Sequence, residues 1–199
     1  MRDKSRRWTR RIALTLLGLT LSVLVFAWEE RIRNANEEYA VYSAYLSKGL
    51  LNDAHDWSAD VPVQVVIADT TKPAGSWRLR ALYLLDNRVH FDGLSVSTRV
   101  SYLLRNLLST RISPKFVLPS RADLALTSES DYGSPDFQKK YPRNVGLVVL
   151  SGVGFNPTRT QAVFYIDHFC GLCGGGRYVF MEKLDGAWLV QEEHYTWIS

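Results

Sequence analysis

The stretch QAVFYIDHFCGLCGGGRYVFMEKLDGAWLVQEEHYTWIS, residues 161–199, decides the fold class. Thr160 to Phe169, Arg177 to Leu184 and Ala187 to Ile198 are rich in aromatic and β-branched residues, as strands are. Asp185-Gly186 separates the last two runs, and Asp-Gly between β runs signals a two-residue hairpin whose turn residues both take positive φ. That loop sets Leu184 opposite Ala187, Lys183 opposite Trp188, Met181 opposite Val190, Val179 opposite Glu192, and Arg177 near His194. Val145 to Phe155 adds a strand upstream, across the turn Asn156-Pro157-Thr158-Arg159. Four strands joined by short turns make an antiparallel meander.

Working back from the meander, the pattern becomes helical. Residues 29–52 open on EERIRNANEE and then place Tyr39, Tyr42, Leu46 and Leu50 on one stripe. Val61 to Asp69 reads as a strand, with Pro62 confining its first residue to an edge or a start. Ser76 to Leu85 is ambiguous between helix and strand. A second helix follows, capped by Ser97 or Thr98, with Val100, Leu103, Leu104, Leu107 and Leu108 as its apolar stripe. Ile112 to Ser134 has no clean period and reads as irregular, with one short strand near Phe116 to Leu118. Helices first and meander last give an α+β fold: helices packed on a C-terminal antiparallel β-meander.

The N-terminus decides placement. Residues 1–11 carry six cations (Arg2, Lys4, Arg6, Arg7, Arg10 and Arg11) against Asp3, and the rest of the chain has 18 basic and 19 acidic residues. The basicity therefore belongs to the tail, and a nucleic-acid reader would need it on the folded domain; nucleic acid is not an expected partner. Residues 12–28, IALTLLGLTLSVLVFAW, hold no charge and as a helix span roughly 25 Å, near the lower limit for a bilayer core. Trp8 and Trp28 bracket the run, and Glu29 and Glu30 follow it, so the positive-inside rule puts the N-terminus in the cytoplasm. A cleaved signal peptide is the rival, since Val25-Phe26-Ala27 satisfies the small-residue rule. The long charged n-region and the Trp after that cut favour an uncleaved, single-pass transmembrane helix. The expected organisation is a basic cytoplasmic tail (1–11), an anchor (12–28) and an exported domain (29–199), held at a bacterial inner membrane and facing the periplasm or the outside of the cell.

Cys170 and Cys173 are the only cysteines. Redox Cys-x-x-Cys pairs sit at helix N-termini, and here glycines and a strand follow. A structural zinc site wants four ligands, and only His168 offers a third. In an oxidising compartment a disulfide is the expected state, with redox, metal and free-thiol readings behind it. Asp167 and His168 point to opposite strand faces, so with Cys170 they do not form a triad. Gly174 to Gly176 permit a tight bend. The polar end of the hairpin, with His168, Arg177, Glu192 and His194, is the candidate functional rim. Gly152-Val153-Gly154 lacks the third glycine and helix of a dinucleotide site, and Asn156-Pro157-Thr158 is no glycosylation site because proline takes the middle position. No cofactor or metal is expected.

The pieces LVVLSGVGFN (147–156), QAVFYIDHFCGLCGGGRYVFMEK (161–183), DGAWLV (185–190) and the closing WIS (197–199) resemble the C-terminal part of a family of uncharacterised bacterial exported proteins. Lys139-Lys140-Tyr141-Pro142 is similar too. That resemblance implies export and fold, and no activity. Gly186-Ala187-Trp188-Leu189-Val190 also resembles, more loosely, a late strand of nuclear transport factor 2-like domains, whose conical pocket serves enzymes and binders alike. The leading expectation is a non-catalytic binding or assembly module with a protein or small-molecule partner. A small pocket enzyme using His168 or His194 as acid/base is the alternative, and thiol-disulfide exchange the third.

The topology is testable by fusion. Alkaline phosphatase at the C-terminus should be active, and a cytoplasm-only reporter at the same point silent; the reverse pattern would rule out export.

Overall fold

The computed structural model describes residues 35–50, 62–72, 84 and 89–199, with Leu172 outside them. The basic tail, the expected anchor at 12–28, residues 29–34 and all of 76–85 except Leu84 lie outside the described residues. Among the described residues no helix is long and apolar enough to cross a membrane.

The unit Asn36–Ser199 is built on a sheet. Its strands are β1 (Val63–Ala68), β2 (Ala122–Thr127), β3 (Asn144–Leu150), β4 (Gly154–Phe155), β5 (Gln161–Phe169), β6 (Gly175–Leu184) and β7 (Ala187–Ile198). Helix α1, described over 35–45, runs into a π-helical turn, Leu46–Leu50; α2 is Val96–Arg105 and α3 is Phe137–Lys140. The fold is α+β, on one mixed sheet ordered β2-β1-β3-β5-β6-β7, with β4 also pairing β5. The expected meander is present, with β3, β5, β6 and β7 antiparallel in turn. Two features correct the simpler expectation. Strand β1 pairs parallel with both β2 and β3, so it is interior, with Pro62 before its first residue. The tract expected to be irregular contains β2, while Phe116 stacks on Tyr42, ring centroids 5.9 Å apart, instead of joining a strand.

Strand β5 is buried on both faces, and each face has its own cover. Ala162, Phe164 and Ile166 meet Val41, Tyr42 and Tyr45 of α1 and Leu46 of the turn after it. Val163 and Tyr165 face the other way, onto Phe91, Leu94 and Tyr102. Beside them Phe137 and Tyr141 cover Val66, Leu147 and Val149. Helix α1 is fastened at Glu37, whose Oε1 accepts from Trp188 Nε1 at 2.9 Å and whose carboxylate pairs with Lys183. Next to it Glu38, buried, pairs with Arg105 at 2.5 Å and accepts from the Val153 N–H at 3.0 Å.

Helix α2 departs from its expected orientation. Ser95, not Ser97 or Thr98, caps it, its hydroxyl accepting from the Thr98 N–H at 3.3 Å. Its buried residues are Thr98, Arg99 and Tyr102, while Val100 is 42% exposed and Leu107 and Leu108 are each 62% exposed. Hydrogen bonds turn it this way. Ser101 accepts from the Phe155 N–H, the Asn106 amide exchanges two bonds with Gly152, and Arg99 donates to the Leu84 carbonyl. Left unpaired, those polar groups would cost more than exposing leucines.

The hairpin turn is as expected, with Asp185 at φ 50° and Gly186 at φ 82°. Leu184↔Ala187, Lys183↔Trp188 and Met181↔Val190 pair as the turn dictates. Beyond them a β-bulge at Gln191 moves Glu192 opposite Phe180, Glu193 opposite Val179, His194 opposite Tyr178 and Tyr195 opposite Arg177; a second, at Thr196, sets Trp197 opposite Gly176. A register counted from a turn cannot foresee an inserted residue.

Trp188 is 4% exposed and packs on Phe155 in the α1-side core. Trp188→Ala should cost about 3–5 kcal/mol, read from urea unfolding; an unchanged midpoint would contradict that packing.

Candidate functional site

The sheet has two distinct ends. The turns at 156–160 and 185–186 lie at one end, with Glu37 of α1. The 170–174 link between β5 and β6 lies at the other. There a cleft of about 430 Å³ opens between residues 132–138, the start of β3 and the cysteine loop. This volume lies within the range of small-molecule sites.

Its lining is mostly neutral. Tyr132 and Phe137 supply rings, 5.2 Å apart and edge-on. Ser134, Gln138 and Asn144 supply hydroxyl and amide groups. The arrangement is wired internally: Asn144 Nδ2 donates to Gln138 Oε1 at 3.1 Å, and its Oδ1 accepts from the Gly146 N–H at 2.9 Å. Cys170 and Cys173 line the third side at bonding distance, S–S 2.12 Å with Cα atoms 5.3 Å apart. The loop they close is tied across the cleft, since the Gly171 N–H donates to Tyr132 Oη at 3.1 Å.

Behind the cleft stands a buried carboxylate. Asp167 Oδ1 accepts from Trp197 Nε1 at 2.8 Å and from the Tyr165 hydroxyl at 3.0 Å. Lys72 lies 3.4 Å from Oδ2 and 3.0 Å from Glu129. Its ammonium sits 5.7 Å over the Phe169 ring, which packs between Trp197 and Tyr132. The hub exists because Gly176 has no side chain: a Cβ there would come within 2.0 Å of Trp197 Nε1, 2.1 Å of Tyr165 Oη and 2.5 Å of Asp167 Oδ1. The bulge at Thr196 and Trp197 helps, bringing both side chains to this face; the Thr196 hydroxyl lies 2.9 Å from Tyr165 Oη.

The four residues of the expected rim are divided between two faces. Arg177 lies on the α1 face, its Nε donating to Tyr45 Oη at 2.6 Å and to Glu193 at 3.1 Å. The Tyr45 hydroxyl in turn donates to Glu193 at 2.6 Å, and the Tyr195 ring lies 5.1 Å from the guanidinium. Burial raises the Tyr45 hydroxyl's pKa well above its ordinary value, against the pull of the Arg177 charge. His168 is on the same face, its Nε2 2.6 Å from the Val145 carbonyl. Glu192 and His194 pair with Phe180 and Tyr178 on the opposite face, where Glu192 accepts from the Asp92 N–H at 3.3 Å. Glu193, not Glu192, is the acid that meets Arg177.

Reading the sequence missed Lys72, Tyr132, Phe137, Gln138 and Asn144. Asp167 left a signal, as a lone acid inside the apolar run AVFYID; a carboxylate in a strand buried on both faces demands partners. The cleft residues left none. Among the described residues, no group of three His, Cys, Asp or Glu side chains is placed to hold a metal ion.

Comparison with protein-family models, with curated proteins and with solved structures finds no match to this chain.

Burial lowers the His168 pKa below its ordinary 6.5; the Val145 contact opposes this, and the Arg177 charge adds to it. Between pH 6.5 and that lowered value the unfolded chain binds a proton that the folded chain does not, so stability should fall as pH drops through this window. His168→Gln should flatten this slope of unfolding free energy against pH. An unaltered slope would assign it elsewhere.

Proposed function

We propose that this chain is a membrane-tethered, extracytoplasmic binding module whose cleft at the disulfide end takes a small uncharged ligand. One observation carries the reading: the cleft combines the rings of Tyr132 and Phe137 with the neutral polar groups of Ser134, Gln138 and Asn144. Rings offer apolar surface to a ligand, while amides and a hydroxyl fix its orientation through hydrogen bonds. The best-connected charges, Asp167 and Arg177, are already held by protein partners.

The tether rests on the sequence. Six cations, a charge-free run at 12–28 and two glutamates after it support a cytoplasmic N-terminus with Asn36–Ser199 on the far side. The likeness to exported bacterial proteins between residues 147 and 199 supports the same placement. The cysteine pair then works as a clip. Closing so short a loop contributes about 2 kcal/mol by chain entropy, and it holds the Gly171 end of the cleft against Tyr132.

The test is thermal stability of the full chain in detergent, with two neutral probes in separate arms: an N-acetylglucosamine tetramer and a blocked neutral tetrapeptide. A probe at a hundred times its Kd should raise Tm by several degrees, roughly 5 °C. Gln138→Trp, at an exposed position on the cleft rim, should keep the unliganded Tm and abolish the rise. If neither probe shifts the wild type, or if the filled variant responds equally, this reading falls.

A further inference from the structure

The wall of the cleft that carries the cysteine pair is anchored on either side of it. On one side Gly146, in the cleft lining, lies against the backbone of Phe169 and Cys170: a Cβ there would come within 2.2 Å of the Phe169 carbonyl oxygen and 3.0 Å of Cys170 Cα. On the other, Gly174 is fixed by the residue after β7, its N–H donating to Ser199 Oγ at 3.0 Å and its carbonyl accepting from the Ser199 N–H at 2.9 Å. Between those anchors Gly171 and Cys173 are exposed. Among the described residues, one hydrogen bond crosses from there to the facing wall, from the Gly171 N–H to Tyr132 Oη. Gly171 holds φ 78°, a conformation that glycine enters and leaves freely. A lone hydrogen bond at the surface competes with water and is a weak restraint on such a residue. The covalent link from Cys170 to Cys173 supplies the rest.

We propose that the Cys170–Cys173 bond is a redox switch on the cleft: a dithiol reductant opens it, the wall is released, and the ligand binds more weakly. The inference rests on the binding reading above. Cys173 is exposed and Cys170 half-buried, so attack falls on Cys173 Sγ. A thiolate of the reductant forms an S–S bond to that sulfur, the Cys170–Cys173 bond breaks, and Cys170 leaves as a thiolate that takes up a proton. The reductant's second thiolate then attacks its own sulfur in the mixed disulfide, and Cys173 leaves and is protonated in turn. The chain gains two electrons and two protons, and the reductant ends as a disulfide. A disulfide oxidant runs the same exchanges backwards. With the bond open, each ligand that binds must also order the wall. A wall standing in its closed position about a tenth of the time raises the apparent Kd about tenfold.

The experiment uses the full chain in detergent, with and without dithiothreitol as the dithiol, and iodoacetamide labelling with mass spectrometry to report whether the pair is open. Calorimetry measures binding of the N-acetylglucosamine tetramer and of the blocked neutral tetrapeptide, and amide exchange at Gly171 gives a readout that needs no ligand. Reduction should weaken binding of the probe about tenfold and speed exchange at Gly171 while leaving Val148 and Leu150 protected, and diamide should reverse both. The variant Cys170→Ser/Cys173→Ser should match the reduced wild type and ignore dithiothreitol. A pair that stays closed in dithiothreitol while the chain is folded would overturn the switch. So would a probe that binds the open and closed chains equally, and that result leaves the binding reading standing. If neither probe binds the oxidised chain, the binding reading falls and takes the affinity change with it, whether or not Gly171 loosens.

Discussion

Ala162, Phe164 and Ile166 need apolar cover on one side of β5, and Val163 and Tyr165 need it on the other. Neither half of that demand is met by the sheet itself. Helix α1 must lie on one face, and α2, α3 and their flanking loops must divide the other. Burial of aromatic and branched side chains is the dominant favourable term in folding, so this double-sided strand accounts for the layering. It also explains why a polar seam exists. The two clusters on the second face are centred on Tyr165 and Leu147, and Asp167 falls between them with Lys72, Trp197 and Tyr165 as its partners.

The layers are then locked by charge. Glu38 reaches from α1 to Arg105 of α2, and its other oxygen accepts from the Val153 N–H in the β3–β4 link. A buried pair of this kind adds less to net stability than its Coulomb attraction suggests, because both ions lose their hydration. Removing one partner is a different matter, since the remaining charge stays buried. The pair thus acts through what its loss would cost, and it specifies how two helices on opposite sides of the sheet are placed. The same link supplies the Ser151 hydroxyl that accepts from the Tyr165 N–H at 2.7 Å, which keeps β5 bonded where β3 gives way to β4.

What was legible in the sequence was local. The Asp185-Gly186 turn set three pairs of the last hairpin because the chemistry of two residues decides them. Tyr42 of α1 and Leu46 of the turn that continues it fell on one buried face because helical period and burial agree there. The failures were non-local. Strand β2 is six residues in a Pro- and Ser-bearing tract, and its partner β1 lies far away in sequence and pairs in parallel. The leucines of α2 look like a core stripe until Ser101, Arg99 and Asn106 claim the inward side through hydrogen bonds. For the candidate site, Cys170, Cys173 and the neighbourhood of His168 were visible, but the cleft opposite them was not. Ser134, Gln138 and Asn144 are ordinary surface residues in sequence and become a wall only when α3 is folded against β3.

Strand β7 is twelve residues long and ends the order of the sheet. A flat edge of that length would offer its free N–H and C=O groups to any matching strand, which is how edge-to-edge aggregation begins. The two bulges at Phe180/Met181 and Gly176/Arg177 break the strand into three short phases. A foreign strand that paired with one phase would be out of step with the next, and the added twist would carry its far end away from the sheet. The device that aims Trp197 at a buried carboxylate thereby also makes β7, the last strand of the sheet among the described residues, a poor template for another chain.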